Sequence, residues 1–223
     1  MSTHTEAVFP VTGHAPPPKL GQRVILHGVS WETYERLLAD FPDSHAAHFA
    51  YDRGTLEIMV LSFGHEKINR LIHTLLEVVA EEMDIDFENA GSTTFKREDL
   101  KRGFEPDTCF YVQNAERVRG KKDIDPTIDP PPDLVIEIDI SSPSLNKFPI
   151  YAQIVIPEVW RYDGQKLTIF RLEEGEYIER EESQVLPGLT SQIISRFLED
   201  SQSMKRTVWL RRVREWARQQ KGV

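Results

Sequence analysis

The chain has 223 residues, 39% of them hydrophobic, with 36 acidic side chains against 27 basic ones and a formal net charge of -9. That length can bury one sizeable core, and the acidic balance argues against a protein that coats nucleic acid non-specifically. The single cysteine, Cys109, excludes an intramolecular disulfide and a cysteine zinc site, no apolar run approaches the roughly 20 residues of a membrane span, and the first residues lack a secretion signal, so a cytoplasmic protein is expected.

Residues 1–20, with Pro10 and Pro16-Pro17-Pro18, read as a loose arm. A core domain is expected over 21–190 and a basic helical segment over 191–223. "VSWETYERLLADFP" predicts a short helix with Ser30 as N-cap, Glu32 in the first turn and Pro42 past its end. "HAAHFAYDRGTLEIMVLS" predicts a hairpin turning at Asp52-Arg53-Gly54. "GHEKINRLIHTLLEVVAEEMD" carries the clearest helical period, through Ile68, Leu71, Ile72, Leu75, Leu76, Val79 and Met83.

"IDFENAGSTTFKRE" and "EPDTCFYVQN" read as strands separated by a polar turn at Lys101-Arg102-Gly103, and a long polar loop follows. "DLVIEIDIS" reads as a strand, and "SLNKFPIYAQIVI" as containing a short helix interrupted at Pro149. "PEVWRYDGQKLTIFRLEEGEYIERE" predicts two or three strands joined at Asp163-Gly164 and Glu174-Gly175. "GLTSQIISRFLED" opens a helical C-terminal region. Strands on both sides of a long helix predict an α/β (mixed α+β) fold, a central mixed sheet flanked by helices.

The strand over 134–140 poses a chemical question, because Glu137 and Asp139 interrupt its apolar run. Side chains alternate along a strand that rises about 3.3 Å per residue, so these two acids share a face at about 6–7 Å, whereas Asp133 lies about 13 Å from Glu137. Such a pair in an apolar strand costs several kcal/mol unless a cation or a basic group answers it. If the strand carrying Asp107 lies alongside, two or three carboxylates with water and phosphate oxygens make a Mg²⁺ site. The alternative is an edge strand on which Glu137 and Asp139 face solvent.

The order "EPD", "PDLVIE", "SPS", "Y…PEVW" resembles the PD-(D/E)xK nuclease superfamily, and within it a large bacterial family of restriction-endonuclease-like proteins. The similarity runs from about Ser30 to about Ile178. It implies a restriction-endonuclease-like fold in which Asp107 and Glu137 hold a divalent metal, Mg²⁺ with Mn²⁺ as a substitute. It also implies hydrolysis of a DNA phosphodiester by a metal-activated water, with double-stranded DNA as the partner; a homodimer is expected because cutting two antiparallel strands suits a two-fold pair.

Such proteins carry a lysine two residues after the second acid, where this chain has Asp139. Lys147, four residues before Tyr151, is one replacement. Otherwise the register is shifted: counted back from "SPS", the acid falls on Asp139 and the lysine position on Ser141. Glu66, opening the long helix, is a further candidate acid for the site, or a solvated glutamate favoured by the helix dipole. Glu57 is a weaker candidate, and His65 reads as a helix-entry residue. The missing lysine keeps a second function open, a degraded nuclease fold acting as a binding or regulatory partner. A third is a metal-dependent hydrolase of a smaller phosphate ester.

Lys96, Arg97, Lys101 and Arg102 form either a phosphate-binding cluster or a charged turn. Residues 204–223 hold seven Lys/Arg against Glu215 alone, with Trp209, Val213 and Trp216 on one helical face. Two tryptophans need burial, on this domain or on a second copy.

Overall fold

The computed structural model describes residues 22–41, 47–140 and 145–221. The arm over 1–20, Pro42, Ser141 and the "SPS" segment lie outside the described residues.

A hairpin starts the chain's first layer. Strands β2 (Ala47–Asp52) and β3 (Thr55–Val60) pair antiparallel around a two-residue turn whose Arg53 and Gly54 both take positive φ, 44° and 98°. That is the backbone a tight hairpin asks for. Strand β1 (Gln22–His27), which the sequence did not suggest, pairs with β3. Helix α1 (Trp31–Asp40) is capped by Ser30, whose hydroxyl accepts the Thr33 N–H, and buries Trp31 and Tyr34. Tyr34 stacks on Tyr51 with ring centroids 5.0 Å apart. Two short strands, β5 (Phe95–Arg97) and β6 (Arg102–Phe104), complete a five-stranded sheet in the order β1-β3-β2-β6-β5. Gly103 of β6 pairs with Tyr51 and Lys96, and the position is glycine because a Cβ there would sit 2.4 Å from the Tyr34 hydroxyl. The polar turn expected at 101–103 is therefore largely strand.

The mixed sheet has six strands: β4 (Glu88–Gly91), β7 (Thr108–Tyr111), β8 (Leu134–Ile138), β9 (Glu158–Tyr162), β10 (Leu167–Glu173) and β11 (Glu176–Arg180), in the order β11-β10-β9-β8-β7-β4. The single strand expected over 85–98 is thus two, β4 and β5, lying in different sheets. One turn of helix, α3 (Ala115–Val118), interrupts the loop after β7. The β8–β9 pair is parallel, which requires a crossover. Helix α4 (Phe148–Ile154) supplies it, and Pro149 sits in its first turn, where no N–H is needed, rather than interrupting it.

Strand β8 is buried on both faces. Leu134, Ile136 and Ile138 join the core under the long helix α2 (Phe63–Met83), together with Leu71, Ile72, Leu75 and Leu76. Helices α5 (Ser191–Ser203) and α6 (Arg206–Gln220) complete that core with Phe197, Trp209 and Val213. On the opposite face Val135 packs with Val159, Ile150 and Tyr151 against Phe95 and Phe104 of the other sheet. Glu137 has the parity of Val135 and so points into this second layer, toward α4. Among the described residues no helix is long and apolar enough to cross a membrane.

Candidate active site

The two central carboxylates come from adjoining strands. Strands β7 and β8 pair antiparallel with Thr108 opposite Ile136. Carried one residue further, that register sets Asp107 opposite Glu137, on the same face of the sheet. Asp107 is buried, and its Oδ2 accepts the Ile138 N–H at 2.6 Å. Its backbone carbonyl accepts from Asn69 Nδ2 on α2 at 2.9 Å.

Two histidines flank it: His65 Nε2 lies 3.1 Å from Oδ2 and His48 Nδ1 lies 3.3 Å from Oδ1, neither aligned as a hydrogen bond. Burial pushes the Asp107 carboxyl up, but His48, His65 and Lys147 outweigh it and hold the group well below the usual carboxylate range. His65 is raised: burial opposes its charge, and Asp107 and Glu137 overcome the burial.

Glu137 is enclosed by α4. Lys147 Nζ donates to its Oε2 at 2.7 Å, and the Tyr151 hydroxyl donates to Oε1. Burial raises its pKa; Lys147 and Tyr151 work against that and Asp107 adds to it, leaving the carboxyl above the ordinary glutamate range. Lys147 is also buried. Burial disfavours its ammonium, but Glu137, Asp107 and Glu57 more than compensate, so the charge is retained far above neutral pH.

The other candidate acids stand further out. Asp139 is displaced onto β1, where Arg23 Nη2 meets Oδ1 at 3.1 Å, and its side chain is 24% exposed. Glu57 is buried; it receives Arg23 Nε at 3.4 Å and the Leu145 N–H at 2.8 Å, which fastens the segment leading to Lys147. Glu66 pairs with Arg70 at 2.6 Å and is 40% exposed. It lines a cavity of about 830 Å³ together with His48, Asn69 and Asp107. Glu137, Asp139, Lys147 and Tyr151 line a separate hollow of about 40 Å³. Asp107 and Glu137 thus face each other across the strand pair while opening toward different spaces. The basic cluster over 96–102 spans β5, the turn after it and the start of β6, and is paired within the chain: Lys96 meets Glu35, Arg97 meets Asp99, Lys101 meets Glu98 and Arg102 meets Asp52.

Asp107 and Asn69 offer acceptors suited to a divalent cation. Asp107 Oδ1 and Asn69 Oδ1 are buried acceptors without a hydrogen-bond donor, and both residues line the larger cavity. Among the described residues no three of His, Cys, Asp and Glu are grouped so as to hold a metal ion by themselves. Mg²⁺ needs no such group, since it keeps several waters and takes one or two carboxylates.

No sequence spacing marks His48, and His65 carries only the signal of a helix-entry residue. The one available signal for His48 was its alternation with Phe49 in a buried strand; both are buried.

A family model described as "Uma2: Putative restriction endonuclease" matches residues 31–207. No curated protein matches the chain. A solved structure described as that of "a putative nuclease belonging to DUF820 from Anabaena variabilis" aligns over 76% of this chain and 99% of its own, at 16% identity and a TM-score of 0.48. With its model matched over most of the sequence, the chain belongs to the Uma2 family, the family described as putative restriction endonucleases.

Proposed function

We propose that this protein is a divalent-metal-dependent DNA endonuclease, with Asp107 and Glu137 holding Mg²⁺, or Mn²⁺ in its place, and Lys147 assisting hydrolysis. One observation carries the reading: two buried carboxylates stand opposite each other across β7 and β8, with a buried lysine 2.7 Å from one of them. Bringing like charges together in a dry core is costly, and a site that must attract a cation and a phosphodiester is a physical reason for it.

When bound, a divalent ion polarises a phosphoryl oxygen and makes a water molecule a better nucleophile. The chain's own groups prepare that chemistry. The Ile138 N–H fixes Asp107 Oδ2, and Oδ1 faces His48 Nδ1 at 3.3 Å without an aligned hydrogen bond. Tyr151 orients Glu137. Lys147 stays protonated, so its part would be electrostatic, offsetting the negative charge that builds on a phosphoryl oxygen as water adds to phosphorus. Asp139 and Glu66, tied to Arg23 and Arg70, are outer carboxylates of the site. A homodimer suits cleavage of two antiparallel strands.

The test is incubation of the purified chain with supercoiled duplex plasmid and with single-stranded circular DNA, in Mg²⁺ or Mn²⁺, beside Asp107→Asn and Glu137→Gln. Metal-dependent conversion to nicked or linear product by the wild type alone supports the reading. Equal background cutting in all three proteins overturns it.

A further inference from the structure

Phe63 opens α2 with its ring 87% exposed, more than any other large apolar side chain among the described residues. Ser62 does the capping there, so helix formation gives no reason for a phenyl ring in water. The ring stands at the junction of two hollows. One is the cavity that contains Asp107. The other, of about 440 Å³, is walled by Leu71, Met204 and Trp209 and rimmed by Lys67, Arg70 and Arg206. Phe63, Glu66 and Arg70 belong to both. Arg70 is neutralised by Glu66. Arg206 donates to the neutral Thr74 hydroxyl, and among the described residues neither it nor Lys67 has an ion-pair partner. Two cations without an ion pair thus stand beside an exposed aromatic ring on a chain of net charge -9.

We propose that Phe63 and the apolar hollow beside it receive an unpaired nucleobase of the substrate strand, with Lys67 and Arg206 on the flanking phosphates, so that the substrate is DNA with a base out of its stack next to Asp107. A flat apolar group carried on a polyanion answers both halves of this surface. In a paired duplex the faces of each base are covered by its neighbours, so stacking on protein selects single-stranded or flipped-out bases. The inference rests on the nuclease reading for the identity of the polymer.

Fluorescence anisotropy of the full chain, with Ca²⁺ in place of Mg²⁺, tests it with a labelled single-stranded oligonucleotide and with the duplex of the same sequence. The single strand is expected to bind more tightly than the duplex. Phe63→Ala is expected to weaken single-strand binding about tenfold without altering duplex binding, and Phe63→Trp to restore it. Lys67→Ala or Arg206→Ala should each reduce the slope of log affinity against log salt by about one. An unchanged single-strand affinity in Phe63→Ala overturns the proposal. So does a wild-type dimer that Phe63→Ala converts to monomer, because the ring then covers a second copy. The two readings separate cleanly. Metal-dependent cutting without any Phe63 effect removes only this inference, and Phe63-dependent single-strand binding without cutting by the wild type removes only the nuclease.

Discussion

Lys147 Nζ lies 2.7 Å from Glu137 Oε2, although ten residues of chain separate them. The lysine enters from the N-terminus of α4, not from β8, whose exit carries Asp139 instead. A cation is thus delivered to the acid by the crossover that follows the strand. In the absence of metal that ammonium balances Glu137 and part of the field of Asp107.

Replacing it isosterically should therefore have two effects. Lys147→Met is expected to abolish cleavage and to lower the metal-free stability by about 3–5 kcal/mol, because it leaves two buried carboxylates facing each other. A divalent cation answers the same charge, so Mn²⁺ should raise the melting temperature more in Lys147→Met than in the wild type. Thermal unfolding with and without Mn²⁺ checks this; an equal shift in both proteins contradicts it.

Asp139 and Glu137 are separable by a neutral substitution at each. Asp139 is bound to Arg23 and partly exposed, whereas Glu137 is enclosed. Asp139→Asn should retain cleavage to within about tenfold, while Glu137→Gln should lose it by about a thousandfold or more, the scale of one lost transition-state stabiliser. Initial rates on the same DNA, with circular dichroism to confirm folding, decide the matter. The reverse ranking would assign the inner position to Asp139.

Much of this arrangement was legible before any coordinates. The apolar run over 134–140 and the two acids that interrupt it, Glu137 and Asp139, pose the question of what neutralises them, and the hairpin at Arg53-Gly54 and the period of α2 are local signals that survive folding. Sheet membership was not legible. Residues 88–91 and 95–97 lie close in sequence yet join different sheets, because Gly91 takes φ 57° where the β4–β7 register shifts. Strand β6 hides behind Gly103, a poor strand former present for the Tyr34 ring. His48 and His65 are placed against Asp107 only by the meeting of β2, α2 and β7, which no spacing along the chain encodes.

The junction of α2 and α6 makes a prediction about acid stability. Arg218 and Arg214 bind Glu82 at 2.8–3.0 Å and hold its carboxyl below the usual range. A depressed folded value means that the contribution is present above the unfolded pKa of about 4.3 and is lost as pH falls through the folded value. Wild-type melting temperature should therefore drop faster below about pH 4.5 than that of Glu82→Gln, which lacks the ionised form at every pH. Parallel pH profiles for the two proteins would remove the clamp as a contributor.

The C-terminal helix is expected to be part of the folding unit. Trp209 is 1% exposed, and its Nε1 donates to the Phe197 carbonyl at 2.7 Å within the core that includes α2 and β8. Trp209→Ala should cost about 3–5 kcal/mol, seen as a single shifted transition in urea. A separate early transition, with the remainder unchanged, would instead mark α6 as an appendage.

The central claim is that Asp107 and Glu137, brought opposite each other by β7 and β8, share one cation. A crystal soaked in Mn²⁺ and measured at the manganese absorption edge tests it most directly. One anomalous peak is expected, with carboxylate oxygens of both residues at roughly 2.0–2.3 Å, absent in Asp107→Asn. Both carboxylates unliganded at saturating Mn²⁺, or a peak held by Asp107 alone with Glu137 still closed on Lys147, would contradict it.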